Sequence, residues 1–290
     1  MDINEHLPKG LQVGDWMAEI SKYDESGLIY RKTYVAFIDI LGYKSIMDKS
    51  GQDAPDNIYK PLFYALADLK SSKKHIKVTV FSDSIIIEGG DDHPTTFWSI
   101  AHDLMTFQFR LLQKKILVRG GVSFGDHFSK EGIVVSPALI EAYNLEQKAN
   151  FPRIIISPSA YTSFTQNIQS DTHGKFVVYE RYKVNVRDEL ISRDDDGHHV
   201  LSFIPSHVEL DYLKYGIHPD SKNIQHYHEH CVNAGNDVLE ELFNNLTEMK
   251  INLTEETVSE KINYVINKWN LYLDNFHLKN LLRKSFKISA

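Results

Sequence analysis

The chain has 290 residues, 42% hydrophobic and 24% charged, the profile of a globular protein with one large domain or a core carrying an added lobe. Its formal net charge of −7, with no long basic run, argues against binding extended nucleic acid, whereas a nucleotide-sized anion needs only a local positive site. The single cysteine, Cys231, excludes an internal disulfide and suits a reducing cytoplasm; no apolar run approaches the ~18 residues of a membrane span, and the acidic start is unlike a signal peptide.

Residues 1–32 read as an N-terminal arm with a short apolar patch around Trp16 to Ile20. A first strand is expected from Thr33 to Leu41, after which Gly42 frees the backbone to turn into a helix-like segment from Tyr43. Ser50 to Asn57 is rich in turn formers and reads as a loop. Ile58, Leu62, Ala65, Leu66 and Leu69 then repeat at helical spacing, which predicts an amphipathic helix covering one side of a sheet.

Ile76 to Phe81 and Ile85 to Glu88 are strand-like and separated only by Ser82, Asp83 and Ser84, which predicts a hairpin with Asp83 at its tip. Phe97, Ile100, Ala101, Leu104, Gln108 and Leu111 predict a second long helix that ends near Lys114 and Lys115. A strand from Ile116 to Val122 is expected to be interrupted by Gly120 and Gly121, with a turn at Gly125 and Asp126. Gly132 to Val135 is a short strand, Pro137 to Lys148 a helix, and Arg153 to Ile156 a strand. Helices alternating with a hairpin suit an α+β layer on a split β-α-β core, with helices on one face of a mainly antiparallel sheet and the other face open.

Beyond Ser157, strands are expected at Phe176 to Tyr179 and Val200 to Phe203, joined through a solvated turn at Asp194 to Asp196. The chain turns helical from about Ser221. Val258, Ile262, Val265, Ile266, Trp269, Leu273 and Phe276 mark its clearest amphipathic helix. The expected division is therefore an arm at 1–32, a core at 33–157 and a mostly helical accessory region at 158–290.

Two aspartates stand out. Asp39 ends an apolar strand, and Asp83 sits between two more. An isolated charge among strand residues is costly unless it is paired or holds a metal, so two in matched contexts favour one cation site. Each alone reads equally as a turn former or a helix N-cap. His226 and His230 are one helical turn apart, a zinc-compatible spacing without a third ligand, and read as a run on a solvated helix. Glu88 to Asp92 reads as a loop.

In order, Phe37-x-Asp39-x-x-Gly42, the Asp83 hairpin and Val118-Arg-Gly-Gly-Val122 with Gly125 resemble class III nucleotidyl cyclases. With Ala142-Tyr-Asn-Leu-Glu146 and Pro152-Arg-Ile154, the wording looks like the pyrimidine cyclases of the Pycsar antiphage system. The resemblance covers residues 33–157. It implies a ferredoxin-like, palm-like core and a homodimer with sites at the subunit interface. It also implies that a nucleoside triphosphate, UTP or CTP, is cyclised in the cytoplasm and that a separate effector protein binds the product.

The resemblance further implies two divalent cations, Mg2+ or Mn2+, on Asp39, Asp83 and the Ile40 carbonyl, with Phe37, Gly42, Tyr43 and Arg119 binding nucleotide. Tyr43 would close a small base pocket, or else simply pack in the core. Where many purine cyclases of this family carry a base-reading lysine, this chain has Thr79. Their transition-state asparagine and arginine fall on Ile140 and Asn144, so a cation must come from elsewhere, Arg119 and Arg153 being nearest. A purine cyclase with a divergent pocket and a catalytically silent nucleotide sensor stay open.

Overall fold

The computed structural model describes residues 29–71, 76–170, 190–202, 224–252, 256–275 and 282–289. The strands are β1 (Arg31–Ile40), β2 (Ile76–Phe81), β3 (Ser84–Gly89), β4 (Val118–Lys130), β5 (Ile133–Val135), β6 (Ile154–Ile156), β7 (Ile191–Arg193) and β8 (His199–Leu201). The helices are α1 (Tyr43–Ser50), α2 (Lys60–Ser71), α3 (Pro94–Leu112), α4 (Pro137–Lys148), α5 (Pro158–Ser170), α6 (Ile224–Ile251) and α7 (Glu256–Asn275).

One mixed sheet runs in the order β2-β3-β1-β4-β6-β8-β7, with β5 paired to the far end of β4. Its first four strands are antiparallel throughout, and β1 lies between β3 and β4. Two helical crossovers flanking a hairpin dictate that order, so the fold is α+β with a ferredoxin-like core. β6 joins parallel to β4, and β8 and β7 extend the same sheet.

Strand side chains alternate between faces, and the two faces are covered differently. Tyr34, Ala36, Ile38 and Ile40 of β1 join Ile85, Ile87, Val118, Val122, Ile154 and Ile156 beneath α2, α3 and α5 in the main core. The opposite face is not open, as expected, but carries α4. Small residues on β4 make room for that helix: a Cβ on Gly121 would lie 2.3 Å from the Ala142 carbonyl oxygen, and Ser123 donates a hydrogen bond to the Ala138 carbonyl at 2.5 Å.

Other local expectations shift. β4 runs unbroken through Gly120, Gly121, Gly125 and Asp126, because β1 pairs with it residue by residue from Val118 to His127. The stretch Ser50 to Asn57, expected as a loop, is helical and leads directly into α2, since Pro55 is tolerated in a first helical turn. Residues 1–28 of the arm and the expected strand at Phe176 to Tyr179 lie outside the described residues.

A second core forms where Phe109 and Leu112, on the outer side of α3, meet α6, α7 and the 282–289 segment around Trp269. Asn270 holds that segment by two bonds to the backbone of Ile288, at 2.9 and 3.0 Å, and the Trp269 indole donates to the Phe286 carbonyl. Asp194, expected on a solvated turn, is buried instead. It accepts from Arg153 and Lys268 at 2.6 Å each and from the Tyr264 hydroxyl at 2.7 Å. It therefore ties β6, the β7-β8 turn and α7 together. No helix among the described residues is long and apolar enough to cross a membrane.

Candidate active site

The register of the central strands builds the site. Asp39 pairs with Ser84 of β3 on one side and with Arg119 of β4 on the other. The hairpin between β2 and β3 is closed by Ser82 and Asp83 alone, with Ser82 in the left-handed region at φ 55°. The Ile40 N–H donates to the Asp83 carbonyl at 3.1 Å, which locks the end of β1 to the hairpin tip. Asp39 and Asp83 thus stand side by side. In an extended strand a residue's N–H and carbonyl share one edge, so the Ile40 carbonyl lies on the same side.

Gly42 follows at φ 72°, a left-handed turn that only glycine makes without strain, and caps α1 with no side-chain hydrogen bond. The first turn of α1 has no acidic residue either. Its amides therefore lack the usual side-chain acceptor.

Charge is concentrated around Arg119. Its Nε lies 2.6 Å from Glu146 Oε1 and 3.4 Å from Asp39 Oδ2. The N–H is aligned on Asp39, so Glu146 Oε1 balances the charge yet receives no hydrogen bond, although it is fully buried. Glu146 sits 1% exposed on the inner face of α4, and its other oxygen accepts from Gln147 at 2.6 Å. Burial holds the Asp39 carboxyl above the usual carboxylate range, opposed by Arg119 and reinforced by the negative charge of Asp83. Glu146 is shifted up for the same reasons: burial first, Arg119 against it, Asp39 and Asp83 with it.

Among the described residues, no three His, Cys, Asp or Glu are grouped to hold a metal ion. The donor set nevertheless fits Mg2+ or Mn2+: such ions take one or two carboxylates and leave remaining positions to water and substrate phosphates, and every donor here is oxygen. Asp39, Asp83 and the Ile40 carbonyl would hold it.

The other candidates are placed as follows. Phe37 is half-buried and meets Tyr143 of α4 edge-on, 5.3 Å between ring centroids. Tyr43 is half-buried and packs against the main core, the ordinary role weighed for it. Thr79 is exposed on the edge strand β2, and Ile140 and Asn144 face outward from α4. Arg153 is 4% exposed and bound to Asp194 and Asp196, at 2.6 and 2.5 Å, which removes it as a free cation for the site. The side chains of His226 and His230 fall outside those described.

Glu146 was missed as a site residue. Its signal was a carboxylate at a buried helical spacing, since Ala142, Leu145, Glu146 and Ala149 all point inward. Glu88 was missed likewise. Expected as the last residue of the strand from Ile85 and the first of a loop, it lies within β3 almost fully buried and contacts His127 at 3.1 Å and Lys77 at 3.0 Å.

No family model and no curated protein matches the chain. Among solved structures, it is similar to the adenylyl cyclase CyaB from P. aeruginosa at 15% identity, covering 47% of this chain and 82% of that one, with a TM-score of 0.41. It is also similar to the monomeric guanylyl cyclase domain of RhoGC from Blastocladiella emersonii, at 18% identity and 59% and 95% coverage, TM-score 0.41. A third is the guanylate cyclase domain of RhGC from Catenaria anguillulae in complex with GTP, at 19% identity and 46% and 82% coverage, TM-score 0.38. At these scores the likeness carries no assignment, and the α+β fold stands on strand order and register.

Proposed function

We propose that the protein is a pyrimidine nucleotide cyclase, converting UTP or CTP to the 3′,5′-cyclic nucleotide and pyrophosphate as a second messenger in antiphage defence. The observation that carries this reading is the meeting of Asp39, Asp83 and the uncapped first turn of α1 at one strand end. Carboxylates beside free backbone amides are what a triphosphate with its cations requires.

In the reaction the ribose 3′-oxygen attacks the α-phosphorus, its proton passes to solvent, and the bond to pyrophosphate breaks. Two divalent cations, when bound, lower the pKa of that hydroxyl and neutralise the leaving phosphates. Asp39 and Asp83 orient them, and the backbone after Gly42 approaches the phosphates with no side chain intervening. Thr79 in place of a base-reading lysine sets the chain apart from a standard adenylate cyclase. The active form is a homodimer with two equivalent sites, and a separate effector protein binds the product.

The test is incubation of the protein with each of the four nucleoside triphosphates and Mn2+, with Asp39→Ala as control. Cyclic UMP or cyclic CMP from the wild type alone is expected. Purine products alone would reassign the base, and triphosphate binding without turnover would make the protein a sensor.

A further inference from the structure

One guanidinium serves two carboxylates in this site, and it serves them unequally. The Arg119 Nε–H is directed at Asp39 across 3.4 Å, long for a charge-assisted bond, while Glu146 Oε1 stands closer, at 2.6 Å, and receives no hydrogen bond. A buried carboxylate oxygen paired by charge but lacking an aligned donor is uncommon, and a turn of the Arg119 N–H toward it would complete the bond. Glu146 is not free to seek another partner. It is 1% exposed, Gln147 holds its other oxygen, and α4 is seated on Gly121 with no room for even a methyl group between.

We propose that Arg119 is a placeholder for a divalent cation on Asp39, and that Glu146 is the acceptor onto which Arg119 withdraws when the cation arrives. This rests on the reading of Asp39 and Asp83 as cation-holding residues. Before the cation binds, Arg119 supplies positive charge to a carboxylate already burdened by burial and by Asp83. Once a cation takes Asp39, like charges repel the guanidinium, and a small rotation aligns its N–H with the waiting Glu146 oxygen. Glu146 is thus a positioning residue. It touches neither substrate nor cation and acts by drawing a competitor away from the metal ligand.

The proposal separates from a merely structural role because it predicts rescue. In Glu146→Gln the acceptor loses its charge, Arg119 stays on Asp39, and Mn2+ binding to the full chain without nucleotide, followed by calorimetry, weakens about tenfold. Adding Arg119→Gln to that variant removes the competitor and restores wild-type affinity or better. A structural role predicts that the double variant binds as poorly as the single one or worse, and that outcome overturns the inference, as does wild-type affinity in Glu146→Gln. Should Glu146→Gln fail to fold, Arg119→Gln alone decides: affinity at or above wild type supports the placeholder, and loss of binding overturns it. Mn2+ binding that is absent from the wild type, or untouched by Asp39→Ala, overturns the cation reading itself and the inference with it.

Discussion

Asp39 is held at a cost. A carboxyl whose folded pKa is raised binds its proton more tightly when folded, so its charged form at neutral pH subtracts stability, and the deficit shrinks as pH falls. Asp39→Asn removes the charge while keeping the shape. The expected result is a variant more stable than wild type at neutral pH, read by urea denaturation, that makes no cyclic nucleotide. Ser82 carries a second local cost, a φ of 55° at a non-glycine residue in the tip that presents Asp83. Ser82→Gly should raise stability by up to ~1 kcal/mol in the same measurement. Both aspartates were legible in the sequence as charges between apolar runs. Glu146 was not recognised, because a glutamate on a helix is ordinary until its neighbours show which face is buried.

At the scale of elements, α4 is the piece that completes the site, and two contacts fix its seat. The first is Gly121. An alanine there would place its Cβ 2.3 Å from the Ala142 carbonyl and 2.5 Å from Leu145 Cβ, so the helix must move. Gly121→Ala should cost ~1–3 kcal/mol and weaken Mn2+ binding together, because the same shift displaces Glu146.

The second contact is at the N-terminus of α4, where Ser136 caps the helix through the Leu139 N–H and also bonds His127, which reaches Glu88. Burial alone would raise the Glu88 pKa, but bonds from His127, Lys77 and Ser129 and the charge of Lys77 outweigh it and hold the carboxyl at about 2, from 4.5. A depressed carboxylate stabilises the fold above its unfolded pKa and loses that contribution as pH falls through its folded one. Stability to urea should therefore drop by on the order of 3 kcal/mol between about pH 4.5 and pH 2, and Glu88→Gln should flatten that part of the profile.

Over the whole molecule, the C-terminal helices are joined to the sheet by a buried polar junction as well as by apolar packing. Asp194 is pulled down to about 2: burial opposes the shift, and bonds from Lys268, Tyr264 and Arg153 outweigh it. Removing one partner of a buried ion pair is costly, and here it would leave Arg153, at 4% exposure, with Asp196 alone and would strip Lys268 and Tyr264 of their shared acceptor. Asp194→Ala should cost ~3–5 kcal/mol, with amide exchange in α7 rising before exchange in β1. The region beyond residue 157 thereby bears on the site, since Arg153, immediately before β6, accepts a backbone hydrogen bond at 3.0 Å from Gly120, the residue after Arg119.

Hydrophobic periodicity and a short hairpin at Ser82 to Ser84 determined the order of strands and helices, because period and turn chemistry are local; that only Ser82 and Asp83 close the hairpin came from the structure. They also determined that Asp39 and Asp83 meet, since a split β-α-β core has one antiparallel solution that puts β1 beside the hairpin. Tertiary structure alone decided which face α4 covers, that β4 passes straight through its glycines, and that Asp194 and Arg153 are partners rather than a solvated turn and a free cation. It alone set Arg119 between Asp39 and Glu146. Those outcomes depend on packing between residues distant in sequence, where a small side chain in one element makes room for another, and no window along the chain contains both.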